Sequence, residues 1–304
     1  MRIFVTGGTG YIGTHLVAAR AQRGDECVVV SRSSKNPWND PRVRVVSADP
    51  TQSGPWQEEL GTCEAVVNLA GVRIVDPPHR WTSARKDALR RSRVDTTRNV
   101  VEGIRGAPTR PAVLLSQSAV GYYGRRGDEP LDESAPPGSD FLAGIAAEWE
   151  AAALEASAIT RVAVLRSGPV LGAGGGALAA MEPIFKLGLG GPWGDGSAWW
   201  SWIHLDDQVR LMQYALDGTL EGPVNATAPH PVTVGTFAKA LGRALGRPAV
   251  AHAPAFALRA ALGEAADALL HLQRVVPAQA LAAGFEFSYP DLEAALAAIY
   301  GTAD

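Results

Sequence analysis

Thr6-Gly7-Gly8-Thr9-Gly10-Tyr11-Ile12-Gly13 is the stretch that decides the fold of this chain. The apolar run Ile3-Phe4-Val5 precedes it, and an amphipathic run from Tyr11 to Arg23 follows it. This order predicts a strand, a glycine-rich turn and a helix, which is the geometry of a dinucleotide site. The free N–H groups at the start of the helix would face the phosphates. An ordinary glycine-rich turn is the alternative interpretation.

Three glycines of this turn have separate expected roles. Gly7 has no Cβ and can take the tight bend, Gly10 lets backbone approach a pyrophosphate, and Gly13 lets the helix pack closely on the strand. The residues expected to contact the dinucleotide here are Thr6, Gly7, Gly10, Tyr11, Ile12 and Gly13.

The end of the next apolar run indicates which dinucleotide binds. Cys27-Val28-Val29-Val30 is typical of a buried strand, and Ser31, Arg32, Ser33 and Lys35 follow it. A site for NAD usually carries an Asp or Glu about 20 residues after the glycines, whereas an Arg there accommodates the 2′-phosphate of NADP. We therefore expect Ser31, Arg32 and Ser33 to bind NADP(H). A solvated surface arginine is the alternative.

More apolar runs follow, separated by longer helical stretches. This alternation predicts βαβ units, and so an α/β fold with a doubly wound parallel sheet of the Rossmann type. Asp49, after the third run, is expected to reach the adenine or simply to cap a turn. The runs are 43–46, 65–71, 112–116 and 160–166, and a long polar helix is expected from about Trp81 to Ile104.

Composition bounds the protein class. The chain has 304 residues, of which 46% are hydrophobic and 19% charged, enough for one large core or a core with a smaller lobe. A net charge of -3 without a basic block argues against nucleic acid or an anionic membrane as the main partner.

No run approaches the about 20 apolar residues of a membrane span, and residue 1 leads straight into a strand, so we expect a cytoplasmic protein. Cys27 and Cys63 lack the spacing of a metal site or redox pair, so no metal is expected.

Motifs along the whole chain resemble one family. The glycine turn, Asn68-Leu69-Ala70-Gly71, and Ser118 shortly before Tyr123-Gly124 look like extended short-chain dehydrogenases/reductases of the epimerase/dehydratase type. The segments 165–172, 202–207, 284–287 and 289–292 continue the match. The segments 80–82, 122–123, 141–142 and 149–150 narrow it to an atypical branch, whose bacterial members are usually labelled NAD-dependent epimerase/dehydratase or cell-division-inhibitor-like oxidoreductase.

The resemblance implies a domain organisation and more cofactor residues. It places an NADP(H)-binding Rossmann domain at 1–172 with a return segment at about 199–230, and a smaller, mainly helical substrate-binding lobe at 173–198 and 231–304. It implies a small-molecule substrate and allows a homodimer. The added cofactor residues are Leu69, Ala70, Gly71, Tyr123, Arg166 and Pro169.

The catalytic pair of the superfamily is missing from its expected helix. Related enzymes use a Tyr and a Lys four residues later, because a nearby ammonium lowers the pKa of the phenol enough for proton exchange near neutral pH. Here Phe141 stands for the Tyr and Ile145 for the Lys. Ser118 matches the superfamily serine, and Tyr122 is the phenol that could replace the missing acid. Tyr123 is expected to pack under the nicotinamide.

Several other features have two interpretations each. Lys86, Arg73 and His204 are polar candidates for the site, although each residue type is more often structural. The tryptophans at 199, 200 and 202 form either an aromatic wall for a substrate or packing between the lobes. Asp206 is expected to cap the helix that runs to Leu216.

Together these features predict an NADP(H)-binding, epimerase-like oxidoreductase with an unidentified substrate. One alternative is a catalytically silent NADP(H)-dependent regulatory or binding protein, which the missing pair favours. The other is a nucleotide-sugar epimerase, which should carry the Tyr and the Lys.

Overall fold

Seven parallel strands form one central sheet in the computed structural model, which describes residues 1–76 and 79–301. The strands are β1 (Arg2–Thr6), β2 (Glu26–Ser31), β3 (Val43–Ser47), β4 (Ala65–Asn68), β5 (Val113–Ala119), β6 (Arg161–Ser167) and β7 (Gly222–Ala226). Their order is β7-β6-β5-β4-β1-β2-β3, and each neighbouring pair is parallel. The chain thus reverses direction across the sheet between β3 and β4, as doubly wound dinucleotide-binding sheets do. The predicted fold class is confirmed.

Helices cover both faces of the sheet and build the C-terminal lobe. In the described ranges, none is long and apolar enough to cross a membrane. The helices are α1 (Tyr11–Gln22), α2 (Ser83–Gly106), α3 (Phe141–Leu154), α4 (Leu178–Lys186), α5 (Leu205–Asp217), α6 (Val234–Ala244), α7 (Ala255–Leu262), α8 (Asp267–Leu270), α9 (Ala278–Ala282) and α10 (Leu292–Tyr300). Short 3-10 helices occupy Pro55–Thr62, Val120–Tyr123 and Gly263–Ala266. Two-residue strands pair 170–171 with 203–204 and 199–200 with 232–233.

Burial on both faces explains why the strands are continuous apolar runs. Along β2, Cys27 and Val29 pack into the layer beneath α1 and α5, whereas Val28 and Val30 pack into the layer beneath α2 and α3. Side chains of a strand point alternately to its two faces, so each face of β2 contributes to a separate core.

A third core holds the C-terminal lobe together. Trp200 and Trp202 are 4% and 0% exposed and belong to this core. The ring of Trp200 lies 5.3 Å from that of Trp193 and 5.1 Å from that of Phe237. The indole N–H of Trp199 donates to Asp128. Trp200 and Trp202 therefore fit the packing interpretation, whereas Trp199 is half-buried and a substrate contact for it stays a prediction.

The start of α5 differs from the prediction. His204, not Asp206, is the N-cap, because its Nδ1 accepts the backbone N–H of Asp206 at 3.1 Å. Asp207 is fully buried and accepts the backbone N–H groups of Ser288 at 2.9 Å and Tyr289 at 2.8 Å. This carboxylate therefore ties α5, which covers the sheet, to the C-terminal segment.

The sheet ends with β7, a strand that the sequence analysis did not predict. Its sequence, Gly-Pro-Val-Asn-Ala, is short and contains Pro223, which is tolerated because β7 is an edge strand. β7 and α5 fall within the return segment expected at 199–230, and the other six strands fall within 1–172. The exact division into two domains stays a prediction, and residues 302–304 of the expected lobe lie outside the described residues.

Asp207→Asn should lower the free energy of unfolding by about 1–3 kcal/mol, because a neutral amide replaces the carboxylate that accepts the N–H groups of Ser288 and Tyr289 and pairs with Arg210 at 2.8 Å. Urea unfolding followed by tryptophan fluorescence measures the change. Asp206→Asn is the matched control, since the side chain of Asp206 is 64% exposed in the same helical turn. Equal losses in both variants would contradict the assigned role of Asp207.

Candidate active site

The glycine turn has the shape that the sequence predicts. Gly7 adopts φ of +66°, and a Cβ there would lie 2.6 Å from the carbonyl carbon of Leu69 and 2.7 Å from the amide nitrogen of Ala70. A Cβ on Gly13 would lie 2.5 Å from the carbonyl oxygen of Gly7. The turn, the first turn of α1 and the loop after β4 therefore touch through backbone atoms, and side chains are excluded there.

The start of α1 fits an anionic cofactor group. Gly10 is its N-cap and supplies no side-chain cap, and the first turn contains no acidic residue. Its first N–H groups thus have no partner within the helix and carry the positive end of the helix dipole. A diphosphate matches the charge of this position.

Three predicted residues of the turn are used in different ways. Thr6 is fully buried, and its hydroxyl donates to Asn68 Oδ1 at 2.6 Å; a contact with the cofactor stays a prediction. Ile12 packs partly buried against the core. Tyr11 donates its hydroxyl to the carbonyl of Ala173 at 3.2 Å, in the glycine-rich segment 172–176. Tyr11 thereby joins the turn to the chain beyond the sheet.

Four more predicted residues lie at the carboxyl ends of β2 and β3, at the edge of the sheet where the glycine turn lies. Arg32 and Ser33 are exposed directly after β2, and within the described ranges the Arg32 side chain has no ion-pair partner. The hydroxyl of Ser31 accepts the Ser33 N–H at 3.3 Å, which shapes the loop. Asp49 accepts the N–H and hydroxyl of Thr51, so it caps a turn; a contact with adenine stays a prediction.

Five side chains form a buried polar network, and all of them except Asn225 lie in the segments that resemble the family. Ser118 donates to Glu150 Oε1 at 2.6 Å, and Arg166 donates to both oxygens of Glu150 at 2.9 and 2.8 Å. Tyr123 accepts from Arg166 at 3.0 Å and donates to Asn225 at 2.7 Å. All five residues are at most 4% exposed. The network links β5, β6, β7 and α3.

The network fixes the protonation of its members. Burial raises the pKa of Tyr123 to about 12, so Tyr123 stays a neutral phenol. Burial alone would lower the pKa of Arg166, but the hydrogen bonds and charge of Glu150 outweigh it and raise the pKa. The Arg166 guanidinium also lies 3.5 Å from the ring centre of Tyr122. Catalytic roles for Ser118 and Tyr122 stay predictions, and this geometry gives both side chains a structural contact.

A cleft of about 520 Å³ lies beside this network, between the carboxyl ends of β5 and β6 and the C-terminal lobe. Phe141 and Ile145 line one wall, as expected for the positions of the missing catalytic pair. Pro169 lines the floor, while Ser118, Tyr122 and Tyr123 do not line the cleft. The remaining α3 residues on the wall are Leu142, Ala146 and Trp149, and the floor also includes Ala119, Val120, Gly121, Ser167 and Gly168.

The opposite wall carries titratable groups that sequence reasoning missed. His271 Nε2 lies 3.3 Å from Asp267 Oδ1, and both residues line the cleft. Glu264, also on this wall, pairs with Lys86 at 2.6 Å, and the Lys86 ammonium lies 4.8 Å from the ring centre of Phe141. Glu264, Asp267 and His271 are spaced three and four residues apart, which places them on one face of a helical segment. This spacing is the feature of the sequence that could have identified the wall.

The other polar candidates lie elsewhere. His204 is buried as the cap of α5, and burial lowers its pKa. Arg73 is exposed, and its carbonyl accepts from Arg85 at 2.6 Å. Among Lys86, Arg73 and His204, only Lys86 contacts the cleft, because its ammonium donates to Glu264, a residue of the cleft wall.

A glycine turn on a seven-stranded doubly wound sheet, with a cleft under a helical lobe, defines a Rossmann-type dinucleotide-binding protein. Residues 3–227 match the NAD dependent epimerase/dehydratase family, and residues 253–299 match a domain of unknown function, DUF1731. The chain belongs to the NAD dependent epimerase/dehydratase family, and the expected family is confirmed.

Relatives of known name cover nearly the whole chain. The chloroplastic SDR39U1 homolog of Arabidopsis thaliana is 42% identical over 98% of this chain and 86% of the relative. The crystal structure of human epimerase family protein SDR39U1 with NADPH superposes with a TM-score of 0.89, at 37% identity over 99% of both chains. A nucleoside-diphosphate sugar epimerase of Corynebacterium glutamicum is 32% identical with a TM-score of 0.78, over 99% of this chain and 58% of that one.

Glu150→Gln should lower the free energy of unfolding by roughly 3–5 kcal/mol, because it leaves the buried Arg166 without its carboxylate. Ser118→Ala should cost about 1.5–3 kcal/mol, the usual contribution of a hydrogen bond to a charged group. Urea unfolding measures both changes. Glu148→Gln is the matched control, since this carboxylate is 47% exposed two residues away and should change stability by less than about 1 kcal/mol. A Glu150→Gln protein as stable as this control would refute the structural role of the network.

Proposed function

We propose that this protein is an NADP(H)-dependent, epimerase-like oxidoreductase that acts on a small molecule in the cleft. The observation that carries the proposal is Arg32, an exposed arginine without an ion-pair partner among the described residues, directly after β2. β2 pairs with β1, whose end carries the glycine turn. An arginine in this position suits the 2′-phosphate of NADP, because a guanidinium binds phosphate oxygens through paired hydrogen bonds. The NADPH bound to human SDR39U1 supports the same choice.

The walls of the cleft suggest how the chain would support a reaction. NADP(H) supplies or accepts a hydride when bound. Phe141 and Ile145 exclude water from their side of the cleft and cannot move a proton. His271, paired with Asp267, is positioned to hold or move a proton at Nε2 or Nδ1. The proton function would thus lie on the wall formed by the lobe rather than on α3.

A silent NADP(H)-dependent binding or regulatory protein is the second candidate. The apolar wall formed by α3 favours it, because the usual acid/base groups are absent from positions 141 and 145. Incubation with NADPH and a panel of aldehydes, ketones and quinones separates the candidates. Loss of NADPH absorbance supports the oxidoreductase, whereas tight NADPH binding without turnover of any panel member supports the silent protein. Interconversion of sugar nucleotides without net loss of NADPH would support the epimerase.

The two cysteines favour a reducing compartment, and we propose the cytoplasm. Both are free and buried, and burial raises the pKa of Cys27 to about 12, so neither is suited to redox chemistry. A homodimer stays a proposal, which sedimentation of the purified protein would test.

Arg32→Ala should weaken NADPH binding by about 1–3 kcal/mol and leave NADH binding nearly unchanged, because only NADPH carries the 2′-phosphate. Fluorescence titration with each dinucleotide measures both affinities. Arg110→Ala is the matched control: Arg110 is exposed and precedes β5, at the opposite edge of the sheet. Equal weakening of NADPH and NADH by Arg32→Ala would refute the phosphate role.

A further inference from the structure

Arg93 is a buried cation on the wall of the cleft. It lies in α2, is 9% exposed and lines the cleft beside Leu89 and Trp149. Its guanidinium carbon is 5.3 Å from the ring centre of Trp149. On its other side it packs against Gly71, where a Cβ would lie 3.2 Å from the guanidinium carbon. The side chain is therefore held between the loop after β4 and α3.

The hydrogen bonds of Arg93 leave donors free. Nη1 donates to the carbonyl of Leu89 and Nη2 to that of Val72, each at 3.0 Å, and Ser92 Oγ lies 3.5 Å from Nη1. A guanidinium has five N–H donors. Within residues 1–76 and 79–301, Nε donates to no acceptor and no carboxylate lies within ion-pair distance of Arg93. Neutral carbonyls hold the group in place but do not balance its charge.

The other buried arginines show that this chain normally pairs such a charge. Arg166 is bound to Glu150, and Arg20 lies 2.7 Å from both Asp25 and Asp217. A buried charge without a counterion is costly, and burial together with the nearby charge of Arg85 lowers the pKa of Arg93 to about 10. Arg93 is still charged at neutral pH, so its position favours an anion that comes from outside the chain.

The carboxylates of the cleft are already engaged. Asp140 Oδ1 accepts the N–H of Ala143 as the cap of α3, Glu264 pairs with Lys86, and Asp267 lies beside His271. The cleft also has an apolar and aromatic part, formed by Trp81, Phe141, Ile145 and Trp149, and one further arginine, Arg125, which is exposed, unlike Arg93. An anionic group on a ring-bearing or otherwise apolar ligand would match both parts of this surface.

We infer that Arg93 binds an anionic group, a carboxylate or a phosphate, of the molecule that occupies the cleft, and that the apolar remainder packs on the aromatic wall. The inference rests on the proposed function, and it specifies that the small molecule bound in the cleft carries a negative charge. Because Gly71 follows β4 and the neighbouring Leu69 and Ala70 touch the glycine turn, a phosphate of the cofactor is the other source of the same chemistry. The two sources are separated by binding measurements.

The test is a calorimetric titration of the full chain, saturated with NADPH, with benzoate and with its neutral analogue benzamide. Benzoate should bind about 10- to 100-fold more tightly than benzamide, the range of a charge-assisted hydrogen-bonded pair. Arg93→Gln should abolish this preference and leave the affinity for NADPH within about twofold. Arg98→Gln, on the exposed face of the same helix, should change neither.

Each other outcome has a definite meaning. Equal binding of benzoate and benzamide by the wild-type protein, or a preference that survives Arg93→Gln, would overturn the inference. If Arg93→Gln loses affinity for NADPH but still prefers benzoate, Arg93 binds a phosphate of the cofactor. That result would overturn the inference that Arg93 binds the substrate. If Arg93→Gln does not fold, Arg93→Lys decides: it keeps the charge without the planar fork, and should reduce the preference several-fold. Failure of the proposed function appears separately, as absent NADPH binding or as no selective effect of Arg32→Ala.

Discussion

Backbone contact at the glycine turn is the constraint on which the rest of the structure depends. Gly7 touches the loop after β4, and Gly13 touches the carbonyl of Gly7, so β1, β4 and α1 meet without side chains between them. This approach brings the positive end of α1 to the edge of the sheet where the chain reverses direction between β3 and β4. The phosphate position, the loop with Arg32 and the cleft are all arranged around that edge.

Two buried arginines at this edge differ in how their charge is balanced. Arg166 and Glu150 compensate each other's charge, and with Tyr123 they fix β5, β6 and β7 relative to α3. The cleft floor is formed by residues at the ends of β5 and β6, directly beside this network. Arg93 has only carbonyl acceptors at short distance and faces the same cleft from α2. Arg166 therefore stabilises the fold, whereas we propose that Arg93 binds a ligand.

The sequence predicts local features well and tertiary environments poorly. Apolar runs identified six strands, and the glycine spacing identified the turn, because both depend on neighbours in the chain. β7 was missed because a short edge strand with Pro223 has no strong periodicity. Arg93 was included in a polar helix interpreted as a mostly solvated face, and its burial depends on Trp149 and Gly71, which only the fold brings near. The His271–Asp267 pair was missed for the same reason: the lobe brings it to the cleft from the far end of the chain.

The missing Tyr and Lys change the electrostatics of the cleft as well as its chemistry. With Phe141 and Ile145 on the α3 wall, that wall carries no mobile proton and little polarity. Charges interact more strongly where water and polar groups are scarce, so the field of Arg93 acts on a ligand with less screening than at the surface. On the side of α2 and α3, the charge of Arg93 would favour anionic ligands over neutral ones. His271 and Asp267, which we propose as the groups that move a proton, lie on the wall formed by the lobe and not on α3.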